Sequence, residues 1–109
     1  MIYLKEWLST NAGRGYVTYH EDSDNFNFAI VNFPKSARTK FHIHSGDQIL
    51  IITEGEGMVC NEEVELSVQK GDMVLINAGE NHWHGAKENT TMSHITITVS
   101  GSTTEVTED

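Results

Sequence analysis

The sequence predicts an all-β protein, an antiparallel sandwich or barrel built as one domain over residues 1–109. From Asn25 onward, short runs rich in β-branched and aromatic residues alternate with turn clusters at intervals of roughly 8–12 residues. Residues 64–68 and 93–99 alternate between apolar and polar side chains, as strands with one buried face do. Helical periodicity is almost absent. A length of 109 residues leaves room for one domain.

The predicted barrel core covers about residues 25–99 and contains eight strands. We place them near 26–33, 39–44, 48–54, 57–61, 63–68, 72–76, 82–86 and 92–99. Turn-forming residues separate them, including the glycines of segments 54–57 and 77–80. Residues 1–24 are expected to form a leader or edge segment. The polar, acidic tail 101–109 is expected either to fray or to pair only at an edge.

Charge and cysteine usage exclude several classes of protein. Seven Lys and Arg residues against sixteen Asp and Glu give a net charge of −9, the wrong sign for neutralising phosphates or anionic lipid. We therefore expect no nucleic-acid partner and no membrane partner. The single cysteine, Cys60, cannot close an intramolecular disulfide, and neither a signal peptide nor an apolar membrane span is recognisable. The cytoplasm is the expected compartment.

The spacing of the histidines carries the functional information. His42 and His44 lie two apart in a predicted strand, so their rings share one face and can converge on one ion. Gln48 follows a short turn that can bring its amide oxygen back to the same point. His82, beside His84, is the fourth candidate. Glu54 is set aside as a ligand, because six further residues of extended strand place it roughly 20 Å away.

Such a set of donors would carry no charge of its own. An ion held by three neutral imidazoles and one neutral amide keeps its full dipositive charge. It would therefore act as a stronger Lewis acid than an ion that carboxylates neutralise.

Two segments resemble the paired motifs of the cupin family. Residues 41–57, Phe-His-Ile-His-Ser-Gly-Asp-Gln-Ile-Leu-Ile-Ile-Thr-Glu-Gly-Glu-Gly, resemble the first motif, and residues 71–85, Gly-Asp-Met-Val-Leu-Ile-Asn-Ala-Gly-Glu-Asn-His-Trp-His-Gly, resemble the second. Gln48 stands where the family usually has glutamate, and Asn77 where it usually has proline. The resemblance implies a cupin fold, a double-stranded β-helix or jelly-roll barrel.

Over about residues 25–99 the chain is similar to small bacterial cupins that include manganese-dependent hydroxynitrile lyases. The segments that carry this similarity are Gln48, residues 82–86 and residues 92–95. It implies that His42, His44, Gln48 and His82 are metal ligands and that His94 is the candidate base, with an ordinary pKa of about 6.5. One divalent transition metal per chain is expected, with manganese favoured and iron, nickel, zinc or copper also compatible with neutral donors.

The function that follows is a metal-dependent enzyme acting on a small molecule, with lyase chemistry of the hydroxynitrile-lyase type favoured. A cupin dioxygenase is the closest alternative among enzymes. A cupin that only binds a small ligand or a metal is the alternative of a different class.

For some residues the sequence allows two interpretations, and for others it predicts no part in the chemistry. His84 is either a catalytic residue or part of the pocket wall. Arg38 and Lys40 share the parity of His42, and are either ordinary surface cations or cations at the barrel mouth that attract an anion. Trp83 lies opposite His82 and is expected in packing or at a subunit interface. His20 and Cys60 are expected to have no chemical role.

A homodimer is expected for three reasons. The core of a 109-residue chain is small, and cupins commonly dimerise. In addition, Ile95, Ile97 and Val99 form an apolar face opposite His94.

Overall fold

The fold is an all-β arrangement in a computed structural model that describes residues 16–109, with residues 16–19 and 21 described by their backbone alone. Within that range the strands are β1 (Tyr16–Asp22), β2 (Phe26–Phe33), β3 (His42–His44), β4 (Gln48–Asn61), β5 (Glu65–Gln69), β6 (Met73–Ile76), β7 (His82–Ala86), β8 (Met92–Val99) and β9 (Thr104–Val106). No helix in the described part of the chain is long and apolar enough to cross a membrane.

The strands form two antiparallel layers that share β4. The first layer runs in the order β1-β2-β8-β4-β6. The second runs β5-β4-β7-β3-β9. The first part of β4, beginning at Gln48, pairs with β8 and β6, and its second part, ending at Asn61, pairs with β7 and β5. One continuous strand therefore passes from one layer to the other.

Strand β4 corrects the sequence prediction of two strands, 48–54 and 57–61. The glycines around residue 55 resemble a turn, but the chain only bends there. Gly55 has a φ of 74°, a backbone conformation that glycine adopts without steric cost, and the pairing with β8 shifts register between Ile52 and Glu54. The bend redirects the strand without ending it.

The other strand boundaries follow the sequence prediction with small differences. The segment 39–44 is strand only over His42–His44, and an isolated bridge joins Arg38 to Gly85. The leader or edge segment expected over 1–24 includes β1, which pairs with β2 at the edge of the first layer. Residues 1–15 lie outside the described residues. Of the two expectations for the tail, edge pairing is the one observed, because β9 pairs with β3.

The hydrophobic core lies between the two layers. Its buried members are Phe33, Leu50, Ile52, Val59, Val68, Ile76, Ala86 and Met92. Burying one large apolar side chain of this kind contributes roughly 1.5–3 kcal/mol relative to leaving it exposed. Phe33 joins this core to the histidines, because its ring lies 5.8 Å from the ring of His84 and 5.5 Å from that of His94 between centroids.

Candidate metal centre

Two neighbouring strands bring three of the histidines together. His42 on β3 pairs in register with His82 on β7, and their ring centroids lie 4.3 Å apart. The ring of His44 lies 4.9 Å from that of His42 and 5.3 Å from that of His82. The alternation of a strand places His42 and His44 on one face, as the sequence predicts.

The turns before β4 and β7 hold these strands in place. The backbone N–H of Gly79 donates to the carbonyl of His44 at 2.9 Å. Next to it, the N–H of Ala78 donates to Asp47 Oδ1, also at 2.9 Å. These bonds fasten the turn 77–80 to the turn 45–47, so that His82 emerges beside β3.

Gln48 reaches the same point from the first layer. Its Nε2 donates to Thr96 Oγ1 at 2.6 Å, which turns Oε1 toward His82 Nε2 at 3.2 Å. Thr96 lies on β8, two residues from His94 and on the same face. All four residues that the resemblance implies as ligands therefore lie together.

Backbone carbonyls determine the tautomers of two of these histidines. His42 Nδ1 lies 2.6 Å from the carbonyl of Lys40, and His82 Nδ1 lies 2.8 Å from that of Glu80. Because a carbonyl only accepts, each Nδ1 must carry the hydrogen, and each Nε2 is left with a lone pair. The 3.2 Å contact between His82 Nε2 and Gln48 Oε1 therefore brings two acceptors together.

The ring nitrogen of His44 that could bind a metal has no hydrogen-bond partner among the described residues. His44 Nε2 is buried and makes no hydrogen bond within residues 16–109, although the Gln48 side chain is near it. A buried polar atom without a hydrogen-bond partner is costly, and so is a contact between two acceptors such as that of His82 with Gln48; a cation relieves both costs. The clustered histidines suit one divalent metal ion bound through neutral nitrogen atoms.

His84 enlarges the cluster. Ligand atoms of His42, His82 and His84 all lie within 4.8 Å of one another, so these three histidines could hold a metal together, and His44 is not part of that group. The sequence allowed two interpretations of His84, as a catalytic residue or as part of the pocket wall. In the structure it is buried, and its Nδ1 lies 3.1 Å from His94 Nε2. One of these two atoms donates a hydrogen and the other accepts it.

His94 lies inside the barrel, as the resemblance implies. Its side chain is fully buried, and it lines the same cavity as Thr96. Burial lowers its pKa to about 4, partly offset by the backbone around Ile95. The expectation of an ordinary pKa of about 6.5 was wrong. The sequence did not show that the His94 side chain is fully buried, and burial lowers the pKa.

His44, His82 and His84 also have pKa values below the usual range of histidine. Burial and, to a smaller extent, electrostatic repulsion from His42 and His82 lower the pKa of His44 to about 4. Burial lowers the pKa of His82, and it lowers that of His84 strongly, with His94 adding to the effect. Neutral imidazoles are the form that binds a metal.

A cavity of about 990 Å³ opens onto this cluster. Its walls include Phe33, Lys35, Arg38, Lys40, Thr96 and Thr104. Arg38 and Lys40 therefore both line the cavity. Arg38 is engaged there with Glu108 Oε2 at 2.9 Å, and its guanidinium lies 4.6 Å from the centre of the Trp83 ring.

The remaining residues singled out in the sequence lie apart from the cluster. Glu54 pairs with Lys70 at 3.3 Å, and His20 pairs with Asp22 at 3.2 Å, both on the surface. Cys60 is a buried free thiol. Trp83 is half-buried and packs under Arg38.

Sequence reasoning missed two threonines at the cluster. Thr96 could have been found, because it shares the face of His94. Thr104, whose Oγ1 lies 2.9 Å from His44 Nδ1, is sixty positions away in a tail of weak pattern, and no sequence signal points to it.

This fold and this site define a cupin with a histidine cluster suited to one divalent metal. Residues 29–108 match the family model described as Cupin domain, and the chain belongs to that family. A cupin-like protein from Thermotoga maritima superposes with a TM-score of 0.81 at 31% identity, covering 87% of this chain and 77% of that one.

Two relatives of known activity are similar over part of their length. The (R)-mandelonitrile lyase of Granulicella tundricola is 41% identical over 70 residues, 63% of this chain and 53% of that protein. The acireductone dioxygenase of Leptospira biflexa is 38% identical over 48 residues, 40% of this chain and 27% of that protein. The matched part thus spans about half of the first relative and about a quarter of the second.

Proposed function

We propose that the protein is a metal-dependent lyase of the hydroxynitrile-lyase type, which cleaves a small α-hydroxynitrile into a carbonyl compound and hydrogen cyanide. The supporting observation is the buried His84–His94 pair, which adjoins the metal-binding cluster at one cavity. The similarity to (R)-mandelonitrile lyase favours this substrate class.

His42, His44, Gln48 and His82 are the proposed ligands. Bound there, a divalent metal would supply a Lewis acid that polarises the oxygen or nitrile of the substrate. Manganese is the favoured ion, and iron, nickel, zinc and copper are the alternatives that neutral donors accept. Elemental analysis of protein purified from its native host identifies the ion.

His94 is the proposed proton carrier. Its low pKa keeps the ring neutral near pH 7, so that one ring nitrogen can accept the hydroxyl proton of the substrate. As that proton leaves, the hydroxyl oxygen forms the carbonyl and the carbon–carbon bond breaks. The electron pair of the broken bond leaves with cyanide. The protonated ring, whose pKa is low, then returns the proton to give hydrogen cyanide.

The test replaces His94 and follows metal and turnover separately. We expect His94→Gln to keep its metal and its fold while losing roughly 10²–10⁴-fold in turnover of cyanohydrins. A matched control is His20→Gln, an exposed histidine outside the cluster. If His94→Gln turns over at the parent rate, His94 is not the base. If it loses the metal instead, His94 is a ligand and the assignment of the site is wrong.

The ligand assignment has its own test. His42→Ala and His82→Ala should lose most of the bound metal, since each removes one of four donors, whereas His20→Ala should keep it. Metal content per chain, measured after desalting, decides this. Full metal content in either cluster variant would contradict the assignment.

Dioxygenase activity is the second candidate, favoured by the similarity to acireductone dioxygenase. It predicts oxygen uptake with an enediol substrate by the metal-loaded protein and no cleavage of cyanohydrins. A binding module predicts neither activity, and only a change in ligand affinity when His94 is replaced. Cytoplasmic location and the lack of nucleic-acid or membrane partners stay predictions of the sequence.

A further inference from the structure

The C-terminal strand β9 lies against the proposed metal ligands. It pairs with β3, with His42 opposite Val106 and His44 opposite Thr104. Thr104 and Val106 also line the cavity. The strand therefore forms one wall of the site.

The ring of His44 is held differently from those of the other two proposed histidine ligands. His42 and His82 each hydrogen-bond a backbone carbonyl two residues away in sequence. His44 Nδ1 instead lies 2.9 Å from Thr104 Oγ1, a side chain sixty positions away. Its orientation thus depends on where β9 lies.

The contact to Thr104 leaves His44 Nε2 facing the cluster. That nitrogen is buried and makes no hydrogen bond with the described residues. Because a ring nitrogen bound to a metal is commonly oriented by a hydrogen bond at the other nitrogen, Thr104 occupies the position of such an orienting group.

Several bonds keep β9 in place. Glu108 accepts from the N–H of Phe41 at 2.8 Å through Oε1, and from Arg38 at 2.9 Å through Oε2. The N–H of Thr107 donates to the carbonyl of Phe41 at 2.9 Å. Arg38 in turn lies over Trp83 of β7. The Glu108 carboxylate thus fastens the tail to the segment that leads into β3.

We propose that Thr104 is a positioning residue of the metal site, which holds the His44 ring for binding, and that the Arg38–Glu108 pair keeps it there. This inference rests on the proposed role of His44 as a ligand. It assigns to the C-terminal strand a part in metal affinity rather than in the fold alone.

The test measures metal affinity, not turnover. Thr104→Val keeps the shape of the side chain and removes the hydroxyl. We expect the dissociation constant for Mn²⁺, measured by the free-ion electron paramagnetic resonance signal, to rise about 10–100-fold. Thr104→Ser should restore most of the affinity, because it returns the hydroxyl. Thr103→Val, at the exposed preceding residue, is the matched control and should bind as the parent does.

The unfolding temperature of the metal-free proteins separates positioning from folding. We expect Thr104→Val and the parent to unfold at similar temperatures without metal. Parent-like Mn²⁺ affinity in Thr104→Val would overturn the inference, and so would weak binding that Thr104→Ser fails to restore. If the parent itself binds no metal, the proposed function fails; if only His42→Ala loses metal and Thr104→Val does not, this inference alone fails.

The ion pair is tested by Glu108→Gln, which keeps an oxygen for the N–H of Phe41 but loses the charge beside Arg38. Exposed pairs contribute little, so we expect Mn²⁺ affinity to fall by at most about fivefold. Raising the ionic strength should bring the parent toward the variant. Glu105→Gln, exposed on the same strand, is the control for charge alone. An equal loss in both variants would show that the pair has no specific part.

Discussion

At the residue scale, burial makes His94 a pH-dependent contributor to stability. Its pKa is about 4 in the folded protein, against 6.5 when exposed. Between these pH values His94 binds a proton in the unfolded chain but not in the folded one. Its contribution to the free energy of unfolding is therefore full above about pH 6.5 and is lost as the pH falls toward 4. The difference between the two pKa values corresponds to roughly 3 kcal/mol in the free energy of unfolding.

This prediction is measured on metal-free protein by denaturant unfolding between pH 7.5 and 4.5. We expect the free energy of unfolding of His94→Gln to fall less steeply with acid than that of the parent, because one buried imidazole no longer resists protonation. His20→Gln should follow the parent. Equal slopes for the parent and His94→Gln would show that His94 is not held neutral by the fold.

The amide of Gln48 gives a second prediction at this scale. Gln48→Glu keeps the length of the side chain and places a negative charge beside the ion, and the Thr96 hydroxyl can turn to donate to it. We expect tighter metal retention, weaker Lewis acidity and a higher pKa of metal-bound water. Metal off-rates and the pH profile of turnover measure this. An unchanged profile would mean that the neutral amide has no particular part.

Much of the site could be predicted from residue spacing. The two-residue period of a strand places His42 and His44 on one face, and the short turn that follows brings Gln48 back. The contact between His84 and His94 was not predictable in this way, because it depends on how two strands from different layers face one another across the barrel. The contact of Thr104 with His44 was not predictable from spacing either, because it depends on the pairing of β9 with β3 at the edge of the second layer.

At the element scale, the bend of β4 depends on Gly55. A Cβ at this position would overlap the carbonyl oxygen of Thr91, and the φ of 74° is strained for any residue with a side chain. Gly79 also has a positive φ, of 82°, but a Cβ there meets no atom within 4 Å.

The two glycines therefore make a matched pair. We expect Gly79→Ala to lower the free energy of unfolding by about 1–2 kcal/mol, the cost of the left-handed conformation. Gly55→Ala should lower it clearly more, because the backbone of β4 or of residues 87–91, which connect β7 to β8, must also move. Urea unfolding of both variants compares them. Equal losses would show that the close approach at Thr91 relaxes without cost.

The same bend explains the boundaries that the sequence placed wrongly. Segment 54–57 has two glycines and two glutamates, a composition typical of turns, so it predicts a break between strands. Hydrogen bonding to β8 before the bend and to β7 after it keeps the strand continuous. The predicted and observed bounds agree over β2 and β8, whereas the alternating segment predicted near 63–68 forms a strand over Glu65–Gln69.

At the scale of the whole molecule, the outer face of the first layer is apolar. Outward positions of β2, β4, β6 and β8 include the exposed side chains of Phe26, Ile49, Met73, Leu75 and Val99. Met73 is 70% exposed and Leu75 59%. Exposed apolar surface of this kind on a chain with a net charge of −9 favours burial against an uncharged face.

We propose that this face joins two copies of the chain, as the apolar residues of β8 suggested from the sequence. A second copy offers an identical apolar face, and a stable dimer needs about 800 Å² from each partner. Light scattering after gel filtration should give twice the chain mass of 12.2 kDa for the parent. Leu75→Lys should shift the protein toward the monomer, whereas Leu66→Lys, exposed on β5, should not. A monomeric parent would exclude the proposal.

Gln48 lies in the first layer, and His42 and His82 lie in the second. An ion bound by all three side chains would therefore act as a cross-link between the two layers. Amide hydrogens of β3 and β7 would then exchange with deuterium more slowly in the loaded protein, since opening the barrel at that end would first require the ion to leave. The slowest-exchanging amides would mark the path of this cross-link, and strands far from it, such as β5, would exchange at the same rate with or without the ion.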